Sequence, residues 1–301
     1  MRALVTGASG FVGRHLVAHL EAEGDTVVGL DRNGPDPGDI TDAVAVATRV
    51  TEAHPDVVFH LAALTYVPDS WEQRDAFRAV NVDGTRNVVD ACADTDVRAV
   101  IVIGSAEQYG AVADDALPIA ESATMRPISP YAESKVAAEQ AALDAYSERG
   151  VPVIAVRAFN HTGPGQSSRF LVPALASRIV EAEREQHRAI TVGNLEPVRD
   201  VSDVRDVVRA YRMLALHGDA GATYNVCSGR GVSVRAIVFG LLSMAHRELE
   251  VTVDPDLVRP VDVPALVGDS SKIRYATGWA PEIDLTRTLW EVLAETRSRV
   301  A

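Results

Sequence analysis

Tyr131 and Lys135 lie four residues apart in Ser129-Pro130-Tyr131-Ala132-Glu133-Ser134-Lys135. On a helix that spacing puts both side chains on one face. A free phenol, with a pKa of about 10, is a poor base at neutral pH. A neighbouring ammonium favours the phenolate and lowers that value, so the pair could pass a proton to or from a carbonyl or hydroxyl. Ser105, in Gly104-Ser105-Ala106-Glu107-Gln108-Tyr109-Gly110, offers a second hydroxyl, with the Glu107 carboxylate two residues on. Ser105 can hydrogen-bond a reacting oxygen; a serine that only caps a turn is the other reading. Taken singly, Y-x-x-x-K describes many surface helical pairs, so its meaning depends on its setting.

The setting is a glycine-rich turn, Thr6-Gly7-Ala8-Ser9-Gly10-Phe11-Val12-Gly13, between an apolar run and a helical pattern. Glycines at three-residue spacing there allow a tight turn and close approach of the backbone to a pyrophosphate, with helix N–H groups as donors. Gly7, Ser9, Gly10, Phe11, Val12 and Gly13 are therefore candidate dinucleotide contacts, against the alternative of a turn without a ligand. Asp31 closes the next apolar run, near the ~20-residue offset at which a carboxylate takes the adenosine ribose hydroxyls. It would repel a 2′-phosphate, which favours NAD(H). The adjacent Arg32 works against that preference and keeps NADP(H) open. Asp39 and Ile40 lie where a loop can reach the adenine, although a solvated loop aspartate fits Asp39 almost as well. Leu61, Ala62 and Ala63 end a third apolar run, where small residues let a cofactor pass. A bound nicotinamide cation would add to the pull of Lys135 on the Tyr131 proton.

These residues need a scaffold that brings strand ends together. Apolar runs at Ala3–Thr6, Thr26–Leu30, Val57–Leu61, Val97–Ile103 and Val153–Val156 read as strands buried on both faces. Helical patterns at Val12–Glu23, Ala43–Ala53, Trp71–Ala93 and Tyr131–Arg149 alternate with them. The expectation is an α/β fold: a doubly wound parallel-sheet Rossmann domain with a smaller C-terminal substrate-binding lobe. Ser129 fits the N-cap of the tyrosine-bearing helix, Pro130 its first position and Gly150 its end. After Arg157 the rhythm becomes irregular. A helix near Asp203–Leu216 and a strand Thr223–Val226 are expected to return to the main sheet. The predicted division is 1–157 plus about 201–226 for the NAD(P)-binding domain, and about 158–200 plus 227–301 for the second.

Composition removes several alternatives. The 42 acidic and 29 basic residues give a net charge of −13, which argues against nucleic-acid binding and against docking on an anionic membrane. No apolar run approaches the ~20 residues that span a bilayer. The first residues lead straight into the glycine turn, so no signal peptide is expected. Cys92 and Cys227 form no close-spaced motif and fit a reducing, cytoplasmic setting. His15 and His19 share a helical face but lack a third ligand, so no metal is expected. There is no G-x-S-x-G elbow for a serine hydrolase.

Together the glycine motif, Asn81-Val82-Asp83-Gly84-Thr85, Ser105, Tyr131 with Lys135, and Arg157-Ala158-Phe159-Asn160-His161 resemble the extended short-chain dehydrogenase/reductase family, in its nucleotide-sugar branch. The likeness runs the length of the chain. Thr162-Gly163-Pro164-Gly165-Gln166, Arg199-Asp200-Val201-Ser202-Asp203 and Arg259-Pro260-Val261-Asp262-Val263-Pro264 are similar to the group of GDP-mannose 4,6-dehydratases and GDP-4-keto-6-deoxy-D-mannose reductases, the reductases being nearer. The resemblance implies NAD(P)H-dependent reduction of a C4 keto group, with Ser105, Tyr131, Lys135 and Glu107 catalytic. It adds Asn81 and Phe159 to the cofactor contacts. It also implies a homodimer through a four-helix bundle built from the Trp71–Ala93 and Tyr131–Arg149 helices.

A nucleotide diphosphate needs cations, and Arg199 and Arg259 are the candidates, since guanidinium forks match phosphate oxygens. Either could instead be a surface ion-pair residue. Asn160 suits the sugar or phosphate, and Asn194 fits a turn equally well. Related dehydratases use a glutamate at the Glu107 position preceded by an acid or hydroxyl residue. Ala106 stands there instead, which weakens a dehydratase. Val201 replaces an aromatic residue common in the group, bearing on local packing and sugar specificity. A 4,6-dehydratase or 4-epimerase with retained NAD is the alternative. A non-catalytic dinucleotide sensor is more remote, since such proteins commonly lack the tyrosine-lysine pair.

Overall fold

The computed structural model describes residues 1–32, 37–257 and 263–300. Strand β1 (Arg2–Thr6) leads into α1 (Phe11–Ala22), and β2 (Thr26–Leu30), α2 (Ala43–Ala53) and β3 (Val57–His60) continue the alternation. Two short helices follow, α3 (Val67–Ser70) and α4 (Arg74–Phe77), then a π-helical stretch Arg78–Asp83 and α5 (Gly84–Ala91). The helix expected over Trp71–Ala93 thus runs from Arg74 to Ala91 with the π stretch inside it. Gln73 leaves helical geometry at ψ 38°, and the π stretch turns Asn81 inward, its carbonyl taken by the Thr85 hydroxyl at 2.6 Å.

β4 (Ala99–Ile103), α6 (Pro130–Arg149) and β5 (Val153–Ala158) come next. α6 starts as its sequence suggests: the Ser129 hydroxyl accepts the Ala132 N–H at 3.1 Å, and Gly150 closes the helix at φ 71°. β6 (Asn160–Thr162), α7 (Leu171–Glu185), β7 (Ala189–Val192) and β8 (Val198–Asp203) leave the main sheet. α8 (Val204–His217), N-capped by Asp203, and β9 (Thr223–Val226) return to it. β10 (Gly231–Ser233), α9 (Val234–Leu242), β11 (Glu250–Val253), β12 (Ala265–Leu266), α10 (Ser271–Thr277) and α11 (Leu285–Val300) follow.

Among the described residues, six strands make one parallel sheet in the order β2-β1-β3-β4-β5-β9. Its side chains alternate between two cores. Ala3, Val5, Phe59 and Ile101 pack with α1 and α8 on one face; Leu4, Val58, Val100 and Val102 pack with α2, α5 and α6 on the other. Burial on both faces explains why these strands read as unbroken apolar runs. The register places Leu30, Thr6, His60, Val102 and Ala155 in one row across the sheet. Asp31, Gly7, Leu61 and Ser105 consequently emerge at the same edge, beside the crevice where the order reverses between β1 and β3.

A separate apolar core joins α7, α9 and α11 to β7 and β8. In it β8 pairs with β10, β12 and β6, and β7 pairs with β11. No helix among the described residues is long and apolar enough to cross a membrane.

Candidate active site

A cavity of about 490 Å³ opens at the sheet edge between these two cores. One end is built by the glycine turn. Gly7 has φ 72°, and a Cβ there would stand 2.8 Å from the Ala62 nitrogen. A Cβ on Gly13 would stand 2.1 Å from the Gly7 carbonyl oxygen. These glycines let β1, the Leu61–Ala63 segment and the start of α1 close on one another. Gly10 occupies the N-cap of α1 without a side-chain cap, which leaves first-turn N–H groups for an anion. The Asp31 carboxylate accepts the Ser9 N–H at 2.8 Å and borders the cavity. The donor set and the close backbone approach fit a dinucleotide.

Gly7, Ser9, Gly10, Phe11, Val12, Gly13, Asp31, Arg32, Asp39, Ile40, Leu61, Ala62, Ala63 and Phe159 all line this cavity. Asp39 also accepts the Thr41 N–H and hydroxyl, both at 2.9 Å; the backbone donor foremost holds its carboxyl below the usual range. Asn81 differs from expectation. It is buried behind the cavity wall, where its side chain takes the Leu64 N–H at 2.8 Å and donates to the Leu64 carbonyl at 3.0 Å and the Ser134 hydroxyl at 2.9 Å. Ser134 in turn donates to the Tyr131 carbonyl at 2.7 Å. Asn81 therefore ties the Leu61–Leu64 loop to α6, because the π stretch aims it inward.

The same cavity brings together Ser105, Glu107, Tyr131 and Lys135. Burial pushes the Tyr131 hydroxyl up to about 12; its hydrogen bond with Ser105 pulls the other way, and the Glu107 carboxylate adds to the rise. Without the nicotinamide cation, burial outweighs the lowering expected from Lys135. Burial penalises the phenolate, and the Lys135 ammonium, itself brought down to about 8 by burial, donates to the Ile103 carbonyl at 2.8 Å. A buried phenol that keeps its proton at neutral pH, beside a hydroxyl, is suited to give that proton to an oxygen.

Of the residues expected to meet a sugar nucleotide, Asn160 on β6 and Arg199 on β8 line the cavity. Arg199 is buried, and its Nη1 donates to the Val263 carbonyl at 2.7 Å and the Val198 carbonyl at 2.9 Å. Val201 also lines the cavity. Asn194 does not: it lies in the turn after β7, its side chain accepting the Glu196 N–H at 3.0 Å. A short polar side chain that can bond its own backbone two residues on makes such a turn. Arg259 lies outside the described residues. His15 is occupied by the Pro164 carbonyl at 2.8 Å.

Several lining residues carry no short motif: Tyr66, Phe170 and Tyr211. Tyr66 and Phe170 meet edge to face at 6.1 Å across the cavity mouth although 104 positions separate them in the chain. Tyr211, on α8, is fully buried, and its hydroxyl has no hydrogen-bond partner among the described residues. Only the apolar face of α8 was a signal for it, and that signal reads as core.

Residues 3–227 match the NAD dependent epimerase/dehydratase family. The chain belongs to that family. It is thereby an NAD(P)-dependent oxidoreductase of the extended short-chain dehydrogenase/reductase group, as its motifs suggested. Among relatives, it is 37% identical to a GDP-6-deoxy-D-mannose reductase of Pseudomonas aeruginosa, over 99% of this chain and 98% of that one. It is 32% identical to a GDP-6-deoxy-D-talose 4-dehydrogenase of Aggregatibacter actinomycetemcomitans, over the same shares. A solved structure of RMD from Pseudomonas aeruginosa complexed with NADPH superposes with a TM-score of 0.90 at 36% identity, covering 99% of this chain and 100% of that one.

Proposed function

We propose that this family member reduces the C4 keto group of a nucleotide-linked 4-keto-6-deoxy sugar, with GDP-4-keto-6-deoxy-D-mannose the foremost candidate. The observation that carries the reading is the buried Tyr131 hydroxyl, hydrogen-bonded to Ser105, in the same cavity as a glycine turn fit for a dinucleotide. The identity to reductases of GDP-linked sugars supports the substrate class. Bound NAD(P)H supplies the hydride. Ser105 hydrogen-bonds the substrate carbonyl oxygen, Tyr131 gives it a proton as charge develops, and Lys135 steadies the tyrosine left behind. Asn160 and Arg199 face the sugar nucleotide, and Arg259 remains a candidate phosphate partner from its motif alone. Glu107 borders the sugar.

Residues 1–157 with about 201–226 form the dinucleotide side, and about 158–200 with 227–301 the nucleotide-sugar side. Asp31 favours NADH, since a 2′-phosphate would sit against its carboxylate; exposed Arg32 is the cation that would accept NADPH. Two copies join through a four-helix bundle of the helices over Trp71–Ala93 and Tyr131–Arg149, which pack side by side in one copy.

The test incubates purified protein with GDP-4-keto-6-deoxymannose and NADH or NADPH, with UDP- and dTDP-linked keto sugars in parallel. Light scattering on the same sample reads the dimer. Expected are oxidation of the reduced dinucleotide with the GDP sugar, and a loss of about 10²- to 10⁴-fold in kcat for Tyr131→Phe with dinucleotide binding retained. Full activity in that variant sinks the role of Tyr131. Turnover only with another base overturns the sugar. Tightly held NAD without net oxidation of NADH points instead to a dehydratase or epimerase.

A further inference from the structure

Ser105 and Tyr131 come from different elements, the turn after β4 and the first turn of α6. Gln108 spans the gap between them. It is fully buried; its Oε1 accepts the Ser105 N–H at 2.7 Å, and its Nε2 donates to Glu139 Oε2 at 2.7 Å. Glu139 lies on the Tyr131–Lys135 face of α6, one turn past Lys135. A Cβ on Gly104 would come within 2.4 Å of Gln108 Oε1, so glycine at that position lets the amide reach the turn.

The far end of this bridge is anchored. Glu139 receives Arg157 Nε at 3.0 Å and Nη2 at 2.6 Å, a forked pair whose side chains are 4% and 7% exposed. Arg157 Nη1 donates to the Tyr109 hydroxyl and the Glu121 carbonyl, both at 3.0 Å. A buried ion pair adds little stability over apolar packing, but its forked geometry fixes orientation. None of Gln108, Glu139 or Arg157 lines the cavity.

We propose that Gln108 is a positioning residue: through Glu139 it sets the Ser105 turn against the Tyr131 helix, and it acts on turnover through Ser105. The inference rests on the reading that Ser105 and Tyr131 carry the proton transfer. Gln108→Met keeps the volume, removes the hydrogen bonds to Ser105 and Glu139 along with the long one to Met125 Sδ at 3.6 Å, and leaves the Glu139–Arg157 pair intact. The expected result is a fall in kcat of about 10- to 100-fold, the scale of an ångström-level misplacement, with KM for the sugar and the dinucleotide Kd within about two-fold. In a Ser105→Ala background the same substitution should cost less than about two-fold, because its target is gone.

An equal cost in both backgrounds, or a loss that follows weakened dinucleotide binding, overturns the proposal and leaves the site reading intact. Unchanged kcat in Ser105→Ala overturns the site reading, and the inference with it. Should Gln108→Met fail to fold, Gln108→Glu decides. That variant still accepts from Ser105 but needs a proton to donate to Glu139, so its activity relative to the parent should rise as pH falls from about 8 to about 6. A relative activity independent of pH overturns the proposal.

Discussion

The two walls of the cavity are held by different forces. On the sheet side, the Ala62 N–H donates to the Thr6 hydroxyl at 3.1 Å, which meets His60 Nδ1 at 2.8 Å. His60 Nε2 meets the Thr85 hydroxyl at 2.9 Å, and that hydroxyl gives its proton to the Asn81 carbonyl. With the Thr85 proton so committed, Nε2 must be the donor and Nδ1 the acceptor, which fixes a neutral tautomer. At the mouth, by contrast, Arg169 Nη2 donates to both Asp69 carboxylate oxygens at 2.7 and 2.8 Å, with side chains 52% and 34% exposed. Its guanidinium lies 3.8 Å from the Tyr66 ring centroid. The wall behind the glycine turn is thus buried and directional. The mouth is exposed and held by pairs that break cheaply.

The sharpest way to break the buried wall is Gly13→Ala. The added Cβ meets two backbone carbonyl oxygens, of Gly7 at 2.1 Å and Ala8 at 2.6 Å, and backbone cannot swing aside as a side-chain tip can. Overpacking of this kind should weaken dinucleotide binding by about 10- to 100-fold and lower the melting temperature. Fluorescence titration with NADH and NADPH reads the first, and circular dichroism the second. Binding within about two-fold of the parent would mean that the glycine turn is not part of the dinucleotide site.

Acid should loosen the same wall. Burial holds His60 down to about 3, against 6.5 when unfolded, with the Lys135 ammonium contributing. Above pH 6.5 both states are neutral and stability is complete. Between 6.5 and 3 the unfolded chain takes up a proton that the folded chain refuses, so stability falls by about 1.4 kcal/mol per pH unit from this group. Urea midpoints between pH 7.5 and 5 test the sign. His60→Gln keeps a donor and an acceptor and should be less stable at pH 7.5 but flatter below 6.5. Identical slopes in the two proteins would refute the role of His60.

The contrast between the walls also explains what could be read in the sequence. Ser105, Tyr131, Lys135 and the glycine turn sit in short segments where spacing on one regular element sets the geometry, and a parallel sheet brings those segments to one edge. The helix over Trp71–Ala93 is present from Arg74 to Ala91, but its periodic pattern carries no mark of the π stretch within it, and that stretch sets the aim of Asn81. Asn194 failed for a local reason: its amide is spent on its own turn. Tyr66, Arg169 and Phe170 meet only after two segments about a hundred residues apart are folded together, and no spacing rule reaches that far. Tyr211 hides in an apolar helix face where a phenol reads as core.

The mouth gives the smallest effect and the clearest contrast. Arg169→Gln removes the ion pair with Asp69 and the cation over Tyr66 while leaving the buried wall untouched. Because both groups are substantially exposed, the expected change is a rise of about two- to five-fold in KM for the nucleotide sugar, with kcat preserved. Salt decides whether the cause is electrostatic. At 0.5 M added salt the Debye length falls to about 4 Å, so the parent should approach the variant and the ratio of their KM values should shrink toward one. His60→Gln should show no such convergence in its urea midpoint relative to the parent, since a neutral buried chain is not screened. A fall in kcat for Arg169→Gln would erase the distinction between the walls, because the exposed pair would then be setting the geometry of the chemistry itself.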